Sequence, residues 1–210
     1  MRNYDRNQPL IVIHIPKAGG NTSGRIFQQW FGQGFLRHYF ERNTGCMPKK
    51  YDIFGIHTYN SPIVLHGHFN NSRHFGVWDY YPEVKQFITI LRDPFELAVS
   101  NYYYSRKIGL LTNDDSRIPK LGIKEYLIKK RSYMFKYFPQ EVTIHNYKDI
   151  MEENFVEVGI TEYLDESMKR IAQKLGMLYD PKWLGHYNAT ERDEEVPQQL
   201  SDCHKITFTL

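Results

Sequence analysis

Apolar residues fall in short blocks along this chain, and each block stops abruptly at residues that turn the main chain. Ile11, Val12, Ile13 and Ile15 are β-branched and too few for a helix, so they predict a buried parallel strand. Pro16, Lys17, Ala18, Gly19 and Gly20 end it, and Asn21, Thr22 and Ser23 open a helix over roughly residues 22–31. Residues 63–69 and 87–91 predict a second and a third strand, and residues 155–159 a fourth. Asp93 and Pro94 start a helix whose apolar face holds Phe95, Leu97, Ala98, Val99, Tyr102 and Tyr103. Helical patterns follow at 123–131, near 144–153, and from 161 to about 175, where Gly176 stops the helix. Residues 33–61 show no sustained period and read as irregular surface structure, residues 133–138 as core or groove wall, and residues 206–210 as an edge strand. Strands alternating with helices predict a three-layer α/β sandwich with a mainly parallel sheet, in a single domain over residues 1–210.

Composition narrows the partners. A chain that is 41% hydrophobic and 24% charged builds one core of ordinary size. Its 16 tyrosines are many, which suits a groove for a base or sugar rings as well as plain packing. A net charge of +3 suits a small anionic ligand and does not call for nucleic acid, and Lys129, Lys130 and Arg131 read as a solvated helix face. The polar residues 1–8 fit neither a signal peptide nor a membrane anchor. Cys46 and Cys203 lie far apart, in no metal or redox spacing. A reducing cytoplasm is the expected location, where the Asn188-Ala189-Thr190 sequon stays unused.

Three places carry chemistry. Gly19 and Gly20 let several N–H groups converge where a helix begins, and Lys17 adds a full positive charge, which together make an anion site. The lysine precedes the glycines, the reverse of the ATP-binding P-loop. His66 and His68 point to one side if their segment is extended. They are open to three roles: a metal pair completed by His57 or His74, a general base, or structural hydrogen bonding. Arg92 ends the third strand, and Ser100 lies six residues past Pro94, about 9 Å up the helix, so the two could share one anion.

The stretch Pro16-Lys17-Ala18-Gly19-Gly20-Asn21-Thr22 after a first strand resembles the 5′-phosphosulfate loop of sulfotransferases that use 3′-phosphoadenosine 5′-phosphosulfate (PAPS). Arg92-Asp93-Pro94, with Ser100 eight residues after the arginine and then aromatics and a basic residue, resembles the 3′-phosphate motif of the same family. In the branch containing the heparan sulfate 2-O-sulfotransferases, a His-x-His segment between these motifs supplies the catalytic base. The resemblance places that role on His68, with His66 as second choice. A looser match over residues 159–167 implies that Gly159, Thr161 and Tyr163 flank adenine, and that His186, Asn188 and Arg192 are candidates for a later loop on the 3′-phosphate.

That resemblance implies the sulfotransferase variant of the P-loop nucleotide-kinase fold. It implies PAPS as donor, 3′,5′-ADP as product, no required metal, and an acceptor hydroxyl, with a carbohydrate favoured. Lys17, Ala18, Gly19, Gly20, Asn21, Thr22, Ser23, Arg92, Ser100, Gly159 and Thr161 would hold the nucleotide, and Lys17 and His68 would carry the reaction. Asn21 departs from the pattern, since many relatives have Thr or Ser there. Two alternatives stand beside this reading: a kinase using ATP and magnesium, against which the order of lysine and glycines speaks, and a non-catalytic nucleotide-binding relative.

Overall fold

The structure, a computed structural model, describes residues 1–41, 44–129 and 133–185. Its elements in chain order are β1 (Leu10–Ile13), α1 (Gly20–Phe31), β2 (Phe35–His38), α2 (Ile53–Ile56), β3 (Val64–Gly67), α3 (Val77–Tyr80), β4 (Phe87–Leu91), α4 (Pro94–Thr112), α5 (Ile123–Lys129), α6 (Tyr147–Asn154), β5 (Phe155–Ile160) and α7 (Leu164–Leu175). They divide between two compact units. One comprises Met1–Leu91 and Tyr133–Gly185; the other, among the described residues, comprises 92–129.

The first unit is built on a five-stranded sheet in the order β2-β3-β1-β4-β5, with every pairing parallel. Leu10, Val12, Val64, Ile88, Ile90 and Val156 join Ile26, Phe27 and Phe31 of α1 and Met168, Ile171 and Leu175 of α7 in one buried cluster. Ile11, Ile13, Leu65, Phe87 and Phe155 are just as buried. Phe155 packs its ring on Phe87 and Phe138, at 5.8 and 5.2 Å between centroids. Burial of both residue parities is why these strands read as continuous apolar runs rather than alternating ones. The buried Glu157 of β5 is answered by Arg170 and Lys174 of α7, at 3.4 and 4.0 Å, so this buried carboxylate is paired.

The second unit is organised by α4. Asp93 caps it, accepting a hydrogen bond from the Glu96 N–H at 3.0 Å, and Pro94 takes the first helical position. Phe95, Ala98, Val99, Tyr102 and Tyr103 then pack against Ile123 and Leu127 of α5. The Asn101 amide donates to the Tyr126 hydroxyl at 2.9 Å across the same pair of helices.

The fold class, the four apolar strands and the helices after them match the sequence expectation. Residues 33–61 are the exception, because they contain β2. This is a four-residue edge strand of Phe, Leu, Arg and His whose outer part is half-buried or exposed, so it shows neither an apolar run nor a clean alternation. The second strand also stops at Gly67, short of His68, and α1 begins at Gly20, two residues before the expected start. The expected edge strand at 206–210, and His186, Asn188, Arg192 and Cys203, lie outside the described residues. Among the described residues no helix is long and apolar enough to cross a membrane.

Ile171 is fully buried where α7 meets the sheet. Ile171→Ala is expected to cost about 2–5 kcal/mol. A urea unfolding curve would show it as a lower midpoint with an unchanged slope.

Candidate active site

The chain leaves β1 toward β2 on one side of the sheet and leaves β4 toward β5 on the other. Ligands of open α/β sheets bind at the carboxyl ends of strands beside such a reversal. The residues that follow β1, β3 and β4 are therefore the ones to follow.

After β1 the main chain tightens into a loop that ends at α1. The Ala18 N–H donates to the Ile15 carbonyl at 3.2 Å, and the Thr22 and Ser23 N–H groups both donate to the Gly19 carbonyl, at 3.2 and 3.1 Å. The N–H groups of Gly19, Gly20 and Asn21 find no acceptor among the described residues. No acidic side chain occupies the first turn of α1 and no side chain caps it. A helix start left open in this way attracts an anion. Lys17 and Gly19 are both left-handed, with φ of 69° and 71°. For the lysine that conformation costs on the order of 1 kcal/mol or more, the kind of local strain that collects at binding loops. Gly19 lies against Thr161 and Leu164, whose side chains a Cβ would contact at 3.5 to 3.8 Å. Thr161 is thereby brought to the loop, with its hydroxyl donating to the Leu91 carbonyl at 2.8 Å.

The other loop residues divide by direction. Asn21 is exposed, while Ala18, Thr22 and Ser23 are buried. The Ser23 hydroxyl turns back to the Gly19 and Gly20 carbonyls at 3.4 and 3.3 Å. Gly159 sits inside β5, where a Cβ would come 3.0 Å from Ser167 of α7, so its missing side chain admits the helix. Tyr163 is exposed on the turn before α7.

The histidines gather around a third one. His14, the residue after β1, stacks on His66 at 5.3 Å and lies 4.5 Å from His68, between ring centroids. The Tyr39 hydroxyl bridges Nδ1 of His14 at 2.9 Å and Nδ1 of His66 at 2.7 Å. Nδ1 of His68 is 2.7 Å from the His14 carbonyl oxygen. A carbonyl only accepts, so this nitrogen carries the proton and Nε2 of neutral His68 keeps its lone pair. Two glycines of α1 make room for the rings: a Cβ at Gly20 would overlap His14, and one at Gly24 would come 2.9 Å from His66. Among the described residues no three His, Cys, Asp or Glu side chains are grouped as a metal site requires.

Burial separates these imidazoles. His66 is 3% exposed, and that burial, helped by the neighbouring His68 and Arg37, pushes its pKa down to about 3. Burial also holds His14 well below the ordinary value, with smaller contributions from His68, His66 and Lys17. His38, at the end of β2, is pushed down to about 4 by burial despite its hydrogen bond to the Phe75 carbonyl. Burial raises the Tyr39 hydroxyl, which therefore stays protonated. His68 is half-buried.

Lys17, the loop, His66, His68, Gly159 and Thr161 belong to the first unit; Arg92 and Ser100 belong to the second. There Arg92 precedes α4 and its guanidinium meets Glu96 at 3.5 Å, while Ser100 lies half-buried further along the helix. The sequence reading passed over His14 and Tyr39. His14 was visible as the one polar residue interrupting an apolar run, whereas Tyr39 follows the unexpected strand β2.

No protein-family model matches the chain, and no curated protein does. Among solved structures it is similar to mouse sulfotransferase SULT7A1 complexed with PAP, with a TM-score of 0.51 and 15% identity, over 87% of this chain and 62% of that one. It is also similar to a sulfotransferase from Alicyclobacillus acidocaldarius, with a TM-score of 0.47 and 13% identity, over 97% of this chain and 92% of that one. The likeness to the mouse protein shows the fold, an α/β sheet of the sulfotransferase type. This chain spans 62% of that protein's length.

Unfolded imidazoles protonate near pH 6.5, whereas folded His38 and His66 stay neutral down to about 4 and about 3. The unfolded chain thus binds the extra protons. The stability these two contribute is present above pH 6.5 and is lost as the pH falls toward the folded values. Between pH 7 and pH 5 the loss is about 2 kcal/mol per histidine. Urea unfolding at the two pH values measures it, and His66→Gln should flatten the slope.

Proposed function

We propose that this chain transfers a sulfuryl group from PAPS to an acceptor hydroxyl, and that the acceptor is a carbohydrate. One juxtaposition carries the reading. A lysine-bearing loop with three amides that have no acceptor among the described residues adjoins an imidazole whose Nδ1 carries the proton, at the carboxyl ends of a parallel sheet. The fold shared with mouse sulfotransferase SULT7A1, which was crystallised with PAP, supports it. So does the pair of motifs around Lys17 and Arg92. The carbohydrate rests on the resemblance of His66-Gly67-His68 to the heparan sulfate 2-O-sulfotransferase branch.

In this reading the loop amides and Lys17 hold the 5′-phosphosulfate; Arg92 and Ser100, in the second unit, are assigned to the 3′-phosphate by their motif alone. His68 Nε2 takes the acceptor proton as the acceptor oxygen bonds to sulfur. The bond from sulfur to the 5′-phosphate oxygen breaks in line with that attack. Lys17 offsets the charge arriving on the leaving oxygen, and 3′,5′-ADP departs. Orientation and preorganised charge supply much of the acceleration, so no covalent enzyme intermediate is required. His68 is preferred to His66 as the base because His66 is shut in by the Phe27 and Phe35 rings and by Gly24.

Lys17→Ala and His68→Ala are each expected to lower turnover about a hundredfold or more. The assay is release of 3′,5′-ADP at saturating donor with a panel of glycan acceptors. Wild-type turnover in both variants contradicts the assignment.

A further inference from the structure

One residue lies between the proposed base and the anion loop of the first unit. The His14 N–H donates to the Gly67 carbonyl at 2.8 Å, and its carbonyl accepts from His68 Nδ1 at 2.7 Å. Its ring lies along His68 on one side and against Gly20 of the anion loop on the other, three residues upstream of Lys17. Its own orientation depends on Tyr39, whose hydroxyl has one proton to give and stands between two imidazole nitrogens. That hydroxyl donates to one Nδ1 and accepts from the other, so among neutral rings one of His14 and His66 carries its proton on Nδ1 and the other does not.

We propose that His14 and Tyr39 are positioning residues for His68: the Tyr39 hydroxyl fixes the planes and tautomers of His14 and His66, and His14 fixes the tautomer and tilt of His68 against the anion loop. This rests on the sulfuryl-transfer reading, which makes His68 the base. The main chain of His14 also links base and loop mechanically, because the peptide that accepts from His68 leads directly into Ile15-Pro16-Lys17.

The alternative is that the cluster is merely packing. Two features argue against it. Van der Waals packing needs no hydroxyl at position 39, and apolar side chains would fill the space of the imidazoles without placing polar nitrogens in a buried region. Second, Nδ1 of each of the three rings meets a polar partner, the Tyr39 hydroxyl for His14 and His66 and the His14 carbonyl for His68. Burial holds His14 and His66 neutral, and the Phe27 and Phe35 rings close His66 in further.

Long-range ¹H–¹⁵N spectra of the imidazoles at pH 7.5, on the full chain, and steady-state kinetics of Tyr39→Phe test this together. In the wild type His68 is expected as the Nδ1–H tautomer, with His14 and His66 in opposite tautomers. Tyr39→Phe should mix the tautomers of His14 and His66 and lower kcat roughly ten- to a hundredfold, the scale of a small misplacement of a catalytic group. The KM for donor should stay within about twofold, because the loop contacts remain. An Nε2–H tautomer of His68 in the wild type overturns the proposal, as does a Tyr39→Phe variant with wild-type tautomers and kcat. The spectra need no turnover, so they decide the positioning claim even if the chain proves not to transfer sulfuryl groups. The wild-type spectrum decides it if the variant does not fold.

Discussion

The peptide that ends β1 is clamped from both sides. The Ile13 carbonyl accepts the Thr89 hydroxyl of β4 at 3.0 Å, and the His14 N–H of the same peptide donates to Gly67 of β3 at 2.8 Å. Parallel pairing on both flanks makes this possible, with Ile13 opposite Gly67 and Thr89. A peptide bonded on both sides in a dry core has little freedom. The direction in which the chain leaves the sheet is thereby set. His14, the strained Lys17 and the open helix start follow within seven residues.

Desolvation is the second constraint. Placing three imidazoles side by side would be costly if any two were charged, and burial resolves this by keeping His14 and His66 neutral. Gly20 and Gly24 admit the rings to the surface of α1, and the Tyr39 hydroxyl is a hydrogen-bond partner for Nδ1 of His14 and of His66. His68, half-buried with its ring 4.5 Å from that of His14, is the base in the proposed reaction.

Much of this was legible in the sequence, for identifiable reasons. The strands β1, β3, β4 and β5 were readable because burial on both faces leaves β-branched and aromatic runs, and the loop because glycines and a lysine at a strand end have few other uses. The Asp93-Pro94 helix start is a local signal of the same kind. Strand β2 was not readable, because an edge strand with Arg37 on it needs no apolar pattern. Tyr39 was hidden with it. His14 was in plain view, but its partners at positions 20, 39, 66 and 68 share no spacing that a linear pattern could reveal. The direction of the Ser23 hydroxyl was equally hidden, because it depends on α1 starting at Gly20.

The central claim is a nucleotide site that recognises a 3′-phosphate, and the melting temperature of the purified chain tests it most directly. Three ligands are compared at matched concentrations: 3′,5′-ADP, 5′-ADP, and ATP with magnesium. A ligand present at a hundred times its dissociation constant stabilises the fold by about 2.7 kcal/mol, a shift that is easily read. The account predicts selective stabilisation by 3′,5′-ADP. Preference for ATP with magnesium, or no response to any of the three, would contradict it.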